Sequence, residues 1–477
     1  MSSCWRGIHR STLTLSALAA FVGSVHSAHS AAAEEPSPGC ERPPLKPSRQ
    51  DEDHAFLSNP ECRTGFWDPL KYIGLTRDPA KYLSLGADLR ERFEAFGNRD
   101  WGRGPSDAAL LHRLMVHGDL HWGAPLRLFV QLTSNFAMGR AGGPGPVDED
   151  QLDLHQAFVD VRLEPPRPGP LTIRVGRQEI DYEGARLISV REGANVRLSF
   201  DAVRLMQHVG QARVDVFAAA PVETDFGVFD DGWIPGQALY GAYASAPTST
   251  GSLAVDLFYF GFDRRDAVFD QGTAHESRHS FGVRLFGETT TWDYDVELVY
   301  QLGTFGAGRI DAWTVASDAG FALREIVLAP RLGIQLNATS GDRDLADAEL
   351  QTFNPLFPKA SYFTDANLIG PLNHIDVHPT LTVHPTDTLS IELHYDAFYR
   401  ESRADGVYRP SGALIASGQT SRARSIGSEL ALRSRWQADR HATVVASYSH
   451  FFAGPFLRNA GLGSDVDFFA LWITYRI

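Results

Sequence analysis

The chain has 477 residues, of which 43% are hydrophobic and 21% charged, with 43 glycines and 11% aromatics. A mean hydropathy of −0.20 excludes a multi-span helical membrane protein, which needs repeated apolar runs of about 20 residues. A net charge of −14 argues against nucleic acid as a partner, and lysine occurs only at Lys46, Lys71, Lys81 and Lys359, so 40 of the 44 basic residues are arginine.

At the N-terminus, Arg6, His9 and Arg10 precede a mostly apolar run from Leu13 to Val25, and Ala31-Ala32-Ala33 precede Glu34. This pattern predicts a signal peptide over 1–33. Cleavage would remove Cys4 and leave Cys40 and Cys62, two cysteines in an exported chain. A disulfide clamping a proline-rich segment is expected, with two unpaired thiols as the alternative. Residues 34–80 hold no sustained periodicity and read as an irregular periplasmic extension.

From residue 81 onward the pattern changes. Short segments alternate apolar and polar with period two, which predicts strands. Leu83, Leu85, Ala87 and Leu89 share one face and Asp88, Arg90, Arg92 and Glu94 the other. The same alternation places Leu126, Leu128, Val130 and Leu132 opposite Arg127, Gln131 and Thr133. The connections alternate as well. Short ones fall at 123–125, 165–170, 209–211, 247–251, 289–290 and 385–387. Longer ones fall at 97–108, 137–150, 180–198, 222–236, 263–277, 340–374, 401–421 and 453–464, with 304–308 as a brief exception. That asymmetry predicts an all-β fold over 81–477: a transmembrane antiparallel β-barrel of 18 strands with short periplasmic turns and long external loops. The turn within 309–330 is poorly marked. Aromatics near strand ends (Phe96, Trp122, Tyr259, Phe260, Trp292, Tyr399, Trp436, Phe451, Phe452) are expected to form interfacial girdles.

With the apolar face toward lipid, Arg90, Arg92, Arg113, Arg127, Arg162, Arg174, Arg204 and Arg213 face the lumen, all within the first seven strands. In an aqueous channel such charges need no buried partner, and a ladder of guanidinium groups favours carboxylates. The competing reading is that these arginines pair with neighbouring acids such as Asp88, Glu94, Asp119, Asp160 and Asp215. Lumen acids are expected to concentrate later, at Asp293, Asp295, Glu297, Glu392 and Asp396.

Three stretches then carry a resemblance. They are Tyr82-Leu83-Ser84-Leu85-Gly86 with Arg90-Glu91-Arg92-Phe93-Glu94; Gly176-Arg177-Gln178-Glu179 with Gly184, Arg186-Leu187-Ile188 and Phe200-Asp201-Ala202-Val203-Arg204-Leu205; and Gly341-Asp342-Arg343-Asp344 with Thr352-Phe353-Asn354-Pro355-Leu356-Phe357-Pro358, Tyr362-Phe363 and Gly370-Pro371-Leu372-Asn373. Together they make the chain resemble the alginate export family of outer-membrane barrels, from Trp67 to the C-terminus. The resemblance implies an 18-stranded barrel with an arginine-rich conduit, and it adds Arg177 and Arg186 as candidate conduit residues near a strand end.

No Gly-x-Ser-x-Gly motif occurs, and His275-Glu276-Ser277-Arg278-His279 matches His-Glu-x-x-His in letters only, within a stretch read as strand and loop rather than helix, so neither an enzyme, a cofactor nor a metal site is expected. His275 and His279 stand four apart without a third ligand and read as solvated. The expected function is a passive channel in the outer membrane of a Gram-negative bacterium, exporting an acidic polysaccharide of alginate type. Its partners would be that polysaccharide or a small anion, outer-membrane lipid, and periplasmic secretion or polysaccharide-synthesis proteins. The alternatives are an uptake porin for small organic anions and a closed barrel serving adhesion or anchoring. With no periplasmic connection long enough for a lid, gating is expected from external loops, chiefly 340–374.

Overall fold

The computed structural model describes residues 40–165, 168–248 and 252–477; the expected signal peptide, with Cys4, lies outside them. Eighteen long strands run among the described residues. The first six are β1 (Lys81–Gly97), β2 (Asp107–Trp122), β3 (Leu126–Met138), β4 (Asp150–Leu163), β5 (Leu171–Gln178) and β6 (Phe200–Val209). Next come β7 (Ala212–Glu223), β8 (Gln237–Pro247), β9 (Ala254–Phe269), β10 (Gly272–Glu288), β11 (Trp292–Phe305) and β12 (Gly308–Ala322). The last are β13 (Arg331–Thr339), β14 (His374–Thr386), β15 (Leu389–Tyr399), β16 (Ser425–Gln437), β17 (Ala442–Ala453) and β18 (Val466–Arg476). Each pairs antiparallel with its neighbours, and β18 closes on β1 with Leu89 opposite Tyr475 and Phe93 opposite Leu471. Closure leaves no strand edge, which is what a sheet needs to cross hydrocarbon. The alternation sorts the side chains: Leu128, Val159, Val175, Leu257, Leu298 and Leu432 are exposed outward, while Asp119, Asp160, Arg174 and Asp256 are buried inward. An apolar belt of this extent would be a liability in water and is what lipid covers.

The short-turn end is built from local chemistry. Gly210 takes φ +62 in the two-residue turn between β6 and β7, a conformation other residues adopt at a cost. At the other end of β5, Gly176 has φ +129, and a Cβ there would stand 2.2 Å from the Ala157 carbonyl oxygen. That close approach explains the glycine of the Gly-Arg-Gln-Glu stretch. The poorly marked turn resolves as 323–330, where the Leu323 amide donates to the Pro330 carbonyl.

Several details differ from the sequence reading. Residues 263–277 form no long loop: β9 and β10 continue as one hairpin, with Phe269 opposite Gly272. A register shift between Arg264 and Ala267 breaks the period of two, so the charged Arg264-Arg265-Asp266 run hides a strand. Phe260 and Phe451 are not girdle residues; both point inward and are fully buried.

The described part of the N-terminal extension holds three 3₁₀ turns, a short helix at Asp68–Lys71 and a two-residue strand, Ile73–Gly74, paired with β1. Cys40 is bonded to Cys62, closing a loop over the small apolar cluster of Leu57, Tyr72 and Tyr82. Residues 47–50 enter the barrel. There Arg49 donates to the carbonyls of Ala87 (3.2 Å) and Ile477 (2.7 Å), and Gln50 meets Gln156 (3.0 Å) and Glu179 (3.2 Å).

Candidate functional site: a crowded lumen with one basic track

The lumen is filled rather than open. Residues 179–199, between β5 and β6, fold inward and bury Ile180, Leu187, Ile188 and Val196. Tyr182 stacks against Tyr243 and Phe260, inward-facing aromatics of the wall. Residues 340–373 meet this loop: the Ser189 amide donates to the Phe357 carbonyl (3.0 Å), and the Phe357 amide returns to Leu187 (2.8 Å). One apolar cluster therefore spans wall and loops beside β6–β12.

Burial changes what the predicted arginines can do, because a buried charge must be paired and hydrogen-bonded. Arg90, Arg92 and Arg113 converge on the loop tip. Arg90 donates to the Glu192 carbonyl (2.9 Å) and to that of Ala194, and Arg92 to that of Gly193 (3.0 Å). Arg113 reaches the Glu192 carboxylate at 2.8 Å. Burial alone would raise the Glu192 carboxyl, but Arg113, Arg197 and Arg90 outweigh it and hold it well below the ordinary range. Arg127 grips Asp119 at 2.7 and 2.8 Å, and Arg174 grips Asp160 at the same distances while lying over the Phe158 ring. Arg204 and Arg213 share Asp215, at 2.6 and 2.5 Å. Arg162 pairs with Glu164 at the exposed periplasmic rim. Of the two residues added by resemblance, Arg177 pairs with Asp201 (2.9 Å) and Arg186 with Asp295 (3.1 Å). The early arginines are thus each engaged by an acid or a carbonyl, although the Nε atoms of Arg90 and Arg113 have no hydrogen-bond partner among the described residues. Two of the later acids are occupied, Asp295 by Arg284 and Asp293 by Arg331, while Asp396 has no arginine or lysine in ion-pair contact among the described residues.

Open space remains beside these pairs, in a cavity of about 540 Å³ lined by Arg186, Arg284, Arg331 and Lys359 with Asp293, Asp295 and Asp318, and along the closing seam. A cavity of about 320 Å³ is lined by Arg90, Arg92, Arg433, Arg435 and Arg476 against Glu192, Asp365 and Glu392. A second, of about 480 Å³, adjoins it on the periplasmic side and shares Arg435, Thr443 and Arg476. It is lined by Arg42, Arg435, Arg440, His441 and Arg476, with no acid among its lining residues. Arg435 and Arg440 enter no ion pair among the described residues, and Arg440 donates only to the Pro43 carbonyl (3.3 Å). Burial, and repulsion from Arg42, pull Arg440 below its ordinary value against the opposing attraction of Asp68 and Glu52. Arg42, Arg440 and Arg476 were not singled out from sequence. For Arg476 the signal was present: Phe469, Leu471, Ile473 and Tyr475 face outward, which turns Arg476 inward.

A closed 18-stranded barrel with a lipid-facing belt and a charged lumen defines an outer-membrane protein of the porin-like transport class. The model for the family described as alginate export matches residues 81–469, and the chain belongs to that family. Among solved structures it is similar in fold to Acinetobacter baumannii OccAB1 (13% identity, 86% of this chain and 99% of that one, TM-score 0.57). It is likewise similar to Pseudomonas aeruginosa OccK11 (OpdR), with 12% identity over 83% of this chain and 96% of that one and a TM-score of 0.56. Pseudomonas aeruginosa OpdK, solved with vanillate, gives 12% identity over 82% and 98%, with a TM-score of 0.55. No curated protein matches the sequence.

Proposed function

We propose that the protein is a passive outer-membrane channel for anions, and that its solute is an acidic polysaccharide of alginate type leaving the cell. The observation that carries this reading is the pair of adjoining cavities along β1 and β16–β18, where Arg435 and Arg440 are left without acidic partners. An unpaired guanidinium in a confined aqueous space attracts carboxylates and can bind them in bidentate fashion. Successive weak sites at Arg440 and Arg435 would hand a polyanion along without bond chemistry, so no catalytic group is needed. Family membership supports export, and the alginate solute comes from that membership rather than from lumen geometry.

The second reading, uptake of small organic anions, is favoured by the cavity of about 320 Å³, which suits a short solute better than a wide conduit does. The similar fold of OpdK, solved with vanillate, fits this reading as well. Current block in planar bilayers separates the two. For export, charged oligouronates should block with an affinity that rises with chain length, and neutral oligosaccharides of equal size should not. Saturation by small monocarboxylates with indifference to oligouronates would favour uptake. A barrel that carries no current would overturn both and leave a closed adhesion or anchoring protein.

A further inference from the structure

Most inward carboxylates of the barrel have a guanidinium beside them. Asp88 has Arg476 at 2.6 Å, Asp160 has Arg174 at 2.7 Å, and Glu276 has Arg278 at 2.5 Å. Asp376 and Asp396 break that pattern. Both are fully buried on the inner face of β14 and β15, yet among the described residues neither has an arginine or lysine in ion-pair contact. Their neighbours are imidazoles instead. The register, with Val377 opposite Ala397 and Thr380 opposite His394, sets His378 across from Asp396. Two buried carboxylates side by side, with Glu429 opposite Asp396 on β16, are costly unless a proton or a bound ion neutralises them.

The hydrogen bonds around the cluster indicate what supplies it. His378 Nδ1 and Asp396 Oδ2 approach to 3.2 Å without a hydrogen bond between them, and among the described residues no side chain hydrogen-bonds either Asp396 oxygen, which only the Ala397 amide approaches. Atoms brought this close without sharing a proton are placed as two ligands of one ion would be. The far nitrogen of His378 is engaged, since Nε2 lies 3.1 Å from His394 Nδ1. His394 Nε2 in turn lies 3.3 Å from a Glu392 oxygen. A proton chain running outward from His378 to His394 to Glu392 leaves Nδ1 as the free lone pair, the arrangement that fixes the tautomer of a metal-binding histidine. Asp376 is oriented too: both its oxygens accept from Asn337 at 2.9 Å, and one meets His374 Nε2 at 2.9 Å. Donor atoms from Asp376, His378 and Asp396 lie within 4.8 Å of one another, close enough to converge on ligand bonds of about 2.0–2.2 Å with small side-chain shifts.

We propose that Asp376, His378 and Asp396 form a buried binding site for a divalent metal ion of the zinc type. One imidazole and two carboxylates match the mixed nitrogen and oxygen preference of such ions, and the two carboxylate charges balance theirs. The site departs from the expectation that no metal is bound, which rested on sequence motifs; here the ligands come from facing strands at i, i+2 and across the register. Its place gives it a structural use. His374, which holds Asp376, packs against Phe363 of the inward loop, so the ion would stiffen the wall where residues 340–373 return to it. The proposal is independent of what the channel conducts.

The test uses untagged full-length protein, stripped with chelator, equilibrated with zinc sulfate and freed of unbound ion. Elemental analysis should find one zinc per chain in the wild type and a loss of at least tenfold in His378→Ala and in Asp396→Asn. The His275→Ala variant, altered outside the cluster, should keep the full amount. Heat-modifiable gel mobility establishes that each variant is folded. X-ray absorption of the zinc-loaded wild type decides the matter even if a variant fails to fold. One imidazole with oxygen ligands is expected. No stoichiometric zinc in the wild type, full zinc retained in folded His378→Ala and Asp396→Asn, or a shell with no imidazole or with several would overturn the site.

Discussion

A buried guanidinium in this lumen is a structural element before it is a conduit. Arg174 and Asp160 are bound by two parallel hydrogen bonds and are both nearly inaccessible. Removing one partner strands the other, so Asp160→Ala should cost on the order of 3–5 kcal/mol in urea unfolding of the barrel. The double variant Asp160→Leu with Arg174→Met should recover most of that loss, and a loss equal to the single variant's would show that the pair acts otherwise. Which residues face inward was legible, because period two sorts the two faces of a strand without knowledge of its neighbours. Their partners were not legible: Arg90 and Arg92 are met by carbonyls of 192–194, about a hundred positions away on a segment that itself reads as a loop. Glu52, beside the inserted residues 47–50, offers a pH test. Burial would raise its carboxyl, but His54 and Arg49 outweigh that and bring it from 4.5 down to about 2. A carboxyl lowered within the folded extension stabilises that fold above its free value, and that stability is lost as pH falls through the lowered one. Protection of the N-terminal segment from pepsin should therefore be full near pH 5 and fade as pH falls from about 4.5 toward 2. Constant protection over that window would contradict the assignment.

At the scale of elements, loop alternation read correctly nearly everywhere because turn residues and strand periodicity agree there. It failed at β9–β10, where a register irregularity moves the pattern to the opposite face and a charged run imitates a loop. It also failed to place the N-terminal segment, since nothing in Pro47-Ser48-Arg49-Gln50 distinguishes a lumen occupant from a solvated linker; the contacts that hold it come from β1, β4 and the chain's last residue. Gating was expected from external loops alone, and the structure adds an occupant on the periplasmic side. Deleting residues 40–57 should raise single-channel conductance and leave heat-modifiable folding intact. An unchanged conductance would mean that the segment lies outside the ion path. Breaking the Cys40–Cys62 link with Cys40→Ser should act in the same direction and more weakly, seen as added open-state noise.

For the whole molecule, the near-zero mean hydropathy conceals a membrane protein because lipid-facing and lumen-facing residues alternate and cancel. The −14 charge likewise conceals a local excess of positive charge, since acids and arginines neutralise each other over most of the wall. Two guanidinium groups without an acidic partner, Arg435 and Arg440, sit beside the seam where the first and last strands meet. The count of 18 strands, the position of both barrel ends on the short-turn side and the inward arginines were all readable in sequence. The open path was not, because it is the space left over once distant loops have filled the rest. The most direct measurement is therefore the zero-current potential under a salt gradient, comparing wild type with the Arg435→Glu and Arg440→Glu double variant. Wild type should be anion-selective, and the double variant should shift toward cations, while Asp160→Leu with Arg174→Met leaves selectivity unchanged. A wild type selective for cations, or a double variant with the wild-type potential, would contradict the placement of the anion path along this seam.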